Sequence, residues 1–117
     1  MTTPLKIGAR TEGDAIAVLS LTGEVDVANA AQVRDAALKL VGDGAKRLIV
    51  DLTGTEYMDS TALGTLVGLL KRLKESGGEV IIAAAQPRVK RLFDITGLAQ
   101  VFRIYEDVSA ALKEVRG

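Results

Sequence analysis

The sequence predicts a single α/β domain, in which a mixed sheet of about five strands is packed with about four helices. Two observations indicate this fold class. Near the N-terminus, two strand patterns are joined by a short turn, as in an antiparallel hairpin. Beyond them, apolar runs alternate with helical patterns, which favours a largely parallel sheet. We expect residues 1–117 to form one domain, because no linker or repeat interrupts this pattern.

The first half of the chain predicts the hairpin and one helix. The hairpin strands are expected over residues 5–10 and 15–21. We expect Asn29 to cap the first helix, with Gln32 three residues later completing a capping box. An apolar helical stripe then continues to Gly42, which begins a Gly-Asp-Gly stop signal.

The second half predicts buried strands separated by helices. Residues 47–52 and 79–84 are short, continuous apolar runs, typical of strands covered on both faces. A helix over residues 60–75 is expected to connect them. The other predicted elements are a helix over 87–96 with proline at its first position, a fifth strand over 101–104 and a last helix over 108–115.

The composition excludes several classes of chemistry. The chain has no histidine and no cysteine, which excludes imidazole catalysis, thiol nucleophiles and thiolate zinc sites. An enzyme or nucleotide hydrolase that uses the carboxyl ends of the sheet is the weakest of the functions we consider, because no base, metal cluster or phosphate-binding loop supports it. We therefore expect no catalytic residue, metal or cofactor. The formal net charge is zero, from 15 basic and 15 acidic residues, so we expect no direct binding of nucleic acid or membrane. The longest apolar run, residues 80–85, is far below the ~20 residues of a membrane span, and no signal peptide is visible, so we expect a cytoplasmic protein.

The most informative segment is Tyr57-Met58-Asp59-Ser60-Thr61-Ala62-Leu63-Gly64, which opens the second helix. A helical projection places six apolar residues on one face, which we expect to pack on the sheet: Ala62, Leu63, Leu66, Leu69, Leu70 and Leu73. The opposite face is expected to point to solvent and consists of Ser60, Gly64, Val67, Gly68 and Lys71. An interior helical glycine costs about 1 kcal/mol relative to alanine. We interpret the two glycines as part of a flat docking surface; the alternative is that they pack against a neighbouring element.

Ser60 has three interpretations. In the first, its hydroxyl or the Asp59 carboxylate caps the helix. In the second, Ser60 is a nucleophile, but position 63 of a Ser-x-x-Lys pair is leucine, so no base follows it. In the third, Ser60 accepts a phosphate, which would add a charge of about −1.5 to −2 beside the positive end of the helix dipole. The fold would tolerate this phosphate while the surface potential changed.

Four segments in this order resemble the STAS-domain proteins of the anti-sigma factor antagonist family, over nearly the whole chain. They are Leu21-Thr22-Gly23-Glu24-Val25-Asp26, Leu48-Ile49-Val50-Asp51-Leu52, Met58-Asp59-Ser60-Thr61-Ala62-Leu63-Gly64 and Val89-Lys90-Arg91-Leu92-Phe93-Asp94-Ile95-Thr96-Gly97-Leu98. The family commonly has glycine where this chain has Ala62. The resemblance implies a STAS-like fold without catalytic activity.

The resemblance also implies a partner-switching function. The unphosphorylated form would bind an anti-sigma factor that is also a serine kinase, which frees a sigma factor for RNA polymerase. The kinase would phosphorylate Ser60 and so release the partner, and a metal-dependent serine phosphatase would reverse this. Asp26 would lie at the partner surface, with Asp59 and Thr61 beside Ser60, and Thr61 is a second candidate acceptor. The alternative is a STAS scaffold subunit of a signalling or transport complex that does not switch.

Overall fold

The computed structural model describes residues 3–116. The elements, in chain order, are β1 (Lys6–Thr11), β2 (Ile16–Val25), α1 (Ala30–Gly42), β3 (Arg47–Asp51), β4 (Thr55–Met58), α2 (Ser60–Glu75), β5 (Glu79–Ala83), α3 (Pro87–Ile95), β6 (Arg103–Tyr105) and α4 (Val108–Arg116). A single turn of 3-10 helix lies between α3 and β6. The predicted α/β class and the four helices are confirmed.

The sheet is mixed, as predicted. β1 and β2 pair antiparallel, and β2, β3, β5 and β6 continue the sheet as parallel neighbours. The strand order is β1-β2-β3-β5-β6, with β4 pairing in parallel with the far end of β2. Because parallel strands point the same way, the segments that follow β2 and β4 leave the sheet at the same edge. This edge carries the start of α2.

Side chains alternate between the two faces of the strands, and each face has its own core. One core contains α1, α2 and α3, together with strand residues such as Leu19, Val50 and Ile82. Phe93 of α3 meets Phe102 there edge to face, with ring centroids 5.8 Å apart. The other core is smaller and is covered by α4 through the fully buried Ala111. The three-helix side therefore holds α2 firmly against the sheet.

Strand β4 was not predicted from the sequence. It extends the sheet beyond the expected end of β2, because Gly23 pairs with Thr55 and Val25 pairs with Met58. The register shifts after Gly23, where a β-bulge interrupts the ladder. In four residues, β4 buries only its first and last side chains, so it lacks the alternating pattern that reveals a strand.

The predicted capping box of α1 is wrong. Asn29 occupies the N-cap position, but its side chain makes no bond to the helix. Instead, Asn29 Oδ1 accepts from the backbone N–H of Asp26, and Asn29 Nδ2 donates to the carbonyl of Glu24, both at 2.9 Å. The side chain points back because the loop between β2 and α1 has unpaired backbone groups that it can satisfy.

Some predicted boundaries also differ from the structure. The fifth predicted strand was placed at 101–104, whereas β6 is Arg103–Tyr105. The displacement has a local cause: the N–H groups of Val101 and Phe102 both donate to the carbonyl of Leu98, which ties these residues to the 3-10 turn that precedes them and keeps them out of the strand. Helix α3 ends at Ile95, and Gly97 follows with φ of +78°, a conformation that glycine adopts without a steric penalty.

We predict that Thr55→Val lowers the free energy of unfolding by about 1–2 kcal/mol. Thr55 is fully buried, and its hydroxyl donates to the carbonyl of Leu21 at 2.6 Å, a bond that valine cannot make. Urea denaturation followed by circular dichroism measures the change. Thr11→Val is the matched control, since Thr11 is an exposed residue of β1. Equal effects of the two substitutions would contradict a specific contribution of this bond.

Candidate functional site

Asp59 caps α2. Its backbone is extended, with φ of −94° and ψ of −179°, and its Oδ1 accepts from the N–H of Ala62 at 2.9 Å. The Asp59 carbonyl accepts from the N–H of Leu63 at 3.1 Å, the first bond of the helix. Of the two capping groups considered from the sequence, the Asp59 carboxylate therefore caps α2 and the Ser60 hydroxyl does not.

Ser60 is the first residue of α2 and is exposed. Within residues 3–116 its hydroxyl makes no hydrogen bond, either to a capping N–H or to another side chain. The backbone N–H groups of Ser60 and Thr61 are likewise unpaired in this part of the chain, as expected for a first helical turn. A free hydroxyl therefore stands at the positive end of the α2 dipole.

The second oxygen of the Asp59 carboxylate fixes a neighbouring loop. Asp59 Oδ2 accepts from the backbone N–H of Val27 at 2.9 Å, while Asp59 N–H donates to the carbonyl of Val25 at 3.2 Å. The loop is closed by Asp26, whose Oδ1 accepts from the N–H of Ala28 at 2.9 Å. These bonds bring Asp26 next to the start of α2, although 33 positions separate it from Asp59 in the sequence.

The other predicted surface residues lie along α2. Thr61, Gly64, Gly68 and Lys71 are exposed, as expected. An added Cβ at either glycine would meet no atom within 4 Å, so the alternative that they pack against a neighbour is wrong. Val67 differs from the prediction, because it is half-buried and packs against the larger core. The six residues predicted to face the sheet are all buried.

Sequence reasoning missed three residues of this region. Asn29 was taken as a helix cap, yet it holds the loop that carries Asp26. Val27 was not singled out, and Tyr57 was named only as part of the motif that opens α2, yet these residues are 72% and 42% exposed, on the two segments that meet at Asp59. An exposed valine beside a polar motif is the signal that could have been noticed, since large apolar side chains at the surface often mark contact sites.

No helix within residues 3–116 has both the length and the apolar character needed to cross a membrane. In the same part of the chain, no group of three or more acidic residues is arranged to hold a metal ion.

Comparison with known proteins decides the family. A sequence model described as the STAS domain matches residues 8–111. The chain belongs to the STAS domain family. It is 34% identical to an anti-sigma-B factor antagonist of Staphylococcus aureus over 82% of this chain and 89% of that protein.

Solved structures of anti-sigma factor antagonists have the same fold. An anti-sigma factor antagonist from Mycobacterium paratuberculosis superimposes with a TM-score of 0.87 at 27% identity, covering 100% of both chains. The Bacillus anti-sigma factor antagonist SpoIIAA, in its unphosphorylated form, gives a TM-score of 0.84 at 24% identity, covering 96% of this chain and 97% of that one. This last similarity shows the fold alone.

We predict that Gly68→Ala raises the free energy of unfolding by about 0.5–1 kcal/mol. Alanine favours the helix, and its Cβ would enter open space. Gly23→Ala is the contrasting control, since its Cβ would lie 2.5 Å from the Pro4 carbonyl oxygen and its φ is +103°. Urea unfolding curves measure both. Destabilisation by Gly68→Ala would mean that the α2 surface is not open at this position.

The two bonds of the Asp59 carboxylate can be separated by substitution. Asp59→Ala removes the cap and should lower the free energy of unfolding by about 1–2 kcal/mol. Asp59→Asn keeps an oxygen for the N–H of Ala62 but turns an NH₂ group toward the N–H of Val27. We expect the asparagine variant to retain most of the stability while the Val27 amide exchanges faster in NMR hydrogen exchange. Equal loss of stability in both variants would contradict the cap assignment.

Proposed function

We propose that this STAS protein is an anti-sigma factor antagonist whose affinity for an anti-sigma factor is controlled by phosphorylation of Ser60. The supporting observation is the free, exposed Ser60 hydroxyl, which the Asp59 cap leaves without a structural task. The Staphylococcus aureus and Mycobacterium paratuberculosis relatives carry the antagonist name, which supports the same role for this chain. The role belongs in the cytoplasm, where sigma factors meet RNA polymerase.

The proposed partner surface consists of Asp26, Asp59, Ser60, Thr61, Gly64, Val67, Gly68 and Lys71. In the unphosphorylated state this surface binds the anti-sigma factor, and the sigma factor is freed. The proposal gives this chain no catalytic step, because the anti-sigma factor acts as the serine kinase and a metal-dependent serine phosphatase removes the phosphate. Val27 extends the surface with an exposed apolar side chain.

Phosphate at Ser60 would act chiefly through charge. It would add about −1.5 to −2 beside the carboxylates of Asp26 and Asp59. The α2 dipole and the free N–H groups of its first turn would keep the modified fold stable. A partner that packs on this surface would have to desolvate the phosphate and accept the repulsion. A penalty of about 3–4 kcal/mol would weaken binding several hundred-fold, which suffices for release.

Incubation with ATP, Mg²⁺ and each anti-sigma serine kinase encoded by the same genome tests the proposal. We expect one phosphate on Ser60, located by peptide mass spectrometry, and loss of kinase binding after modification. Ser60→Ala should abolish phosphorylation, whereas Ser109→Ala should not, since Ser109 is an exposed serine of α4 on the other side of the sheet.

Two results would contradict the proposal in different ways. Binding of a partner without phosphate transfer would favour the scaffold role within a larger complex. Phosphate found on Thr61 in the wild-type chain would move the acceptor to the neighbouring hydroxyl, which lies ~100° around the helix from Ser60.

A further inference from the structure

An open groove of about 690 Å³ lies between α1 and α2. We call it the α1–α2 groove; it is lined by Arg34, Leu38, Thr61, Gly64, Thr65, Gly68, Leu69, Lys71, Arg72 and Glu75. It begins at Thr61, one residue after the proposed phosphorylation site, and follows α2 to its last residue. The groove therefore shares Thr61, Gly64, Gly68 and Lys71 with the proposed partner surface and extends beyond it to α1 and to the end of α2.

The floor of the groove is apolar and bare. Leu38 of α1 supplies a half-buried apolar side chain, and Leu69 of α2, which is only 3% exposed, adds a small apolar area, while Gly64 and Gly68 leave the helix backbone uncovered. A large side chain at either position would occupy part of the groove, although alanine there would favour the helix. The glycines thus keep open a depression in which another chain can approach the α2 backbone closely.

The rim of the groove is basic. The lining contains three cationic side chains, those of Arg34, Lys71 and Arg72, and one carboxylate, that of Glu75. Within residues 3–116, neither Lys71 nor Arg72 forms an ion pair, and Arg34 pairs only with its neighbour Asp35, at 3.4 Å between exposed groups. Such exposed pairs contribute little. The excess of positive charge is local, because the whole chain has a formal net charge of zero.

We propose that the α1–α2 groove binds an acidic amphipathic helix of the anti-sigma factor. An extended segment would leave its backbone N–H and C=O groups unpaired in this groove, because the backbone groups of α1 and α2 are already bonded within their own helices. A bound helix, in contrast, pairs its backbone groups internally. From Thr61 to Glu75 the groove is ~21 Å long, which accommodates about four turns of helix. Apolar residues of that helix would contact Leu38 and the backbone at the two glycines, and its carboxylates would meet the three cations.

This inference rests on the proposed function and names the chemistry of the partner segment. Its test measures the affinity of the purified anti-sigma factor for the unphosphorylated full chain by isothermal titration calorimetry. Gly68→Leu fills the groove, and Gly42→Leu is its control, because Gly42 is also helical, lies outside the groove and has open space around it.

A second variant, Lys71→Glu with Arg72→Glu, reverses the charge of the groove rim. Its control is Arg88→Glu with Lys90→Glu on the exposed side of α3.

We expect each groove variant to weaken binding about tenfold or more, with both controls near wild type. Affinity of the wild type should fall with added salt, and less steeply for the charge-reversed variant. In NMR spectra, the amide signals of Gly64 and Gly68 should shift on binding while that of Gly42 does not. Circular dichroism and unfolding curves show whether every variant is folded.

The outcomes separate the two proposals. Wild-type binding that is lost on Ser60 phosphorylation, but unchanged by both groove variants, overturns the groove assignment. It also removes Gly68 and Lys71 from the proposed partner surface, while the proposed phosphorylation switch at Ser60 stands. No binding by the unphosphorylated wild type overturns both. Concentration-dependent dimerisation of the chain alone that is abolished by Gly68→Leu would assign the groove to a second copy and overturn the inference.

Discussion

The two oxygens of the Asp59 carboxylate join the first turn of α2 to the loop after β2, and the proposed partner surface depends on this connection. One oxygen binds the N–H of Ala62 and starts α2, and the other binds the N–H of Val27 and fixes the loop after β2. The parallel pairing of β2 with β4 makes this possible, because it delivers both segments to the same sheet edge. Since the carboxylate caps the helix, the neighbouring hydroxyl of Ser60 is left free.

Helix α2 combines a strongly packed face with an exposed face that does little for the fold. Its buried face carries five leucines and Ala62, and each buried leucine contributes roughly 1.5–3 kcal/mol. Two interior glycines on the exposed face oppose this by about 1 kcal/mol each. Because the buried leucines contribute more stability than the glycines cost, the exposed face of α2 can carry residues that favour binding over helix stability. The same reasoning explains how a phosphate at Ser60 could change affinity without disturbing the core.

Much of this architecture could be predicted from the sequence. Apolar periodicity located the six buried residues of α2 and the open side of the helix, and continuous apolar runs located β3 and β5. Strand β4 escaped prediction because four residues with only their ends buried resemble a loop. The role of Asn29 was mistaken because its residue type suits a helix cap as well as a loop brace.

By itself, the sequence determined the order of the four helices and of every strand except β4, the residues of α2 facing the core and the position of Ser60 at a helix start. These features depend on local periodicity and on residue preferences within one turn or strand. Only the tertiary structure decided which group caps α2, how Asp26 comes to lie beside that cap, and that a basic groove separates α1 from α2. Each of these depends on distant segments meeting in space, as Val27 and Asp59 do across 32 positions, and sequence periodicity carries no information about such meetings.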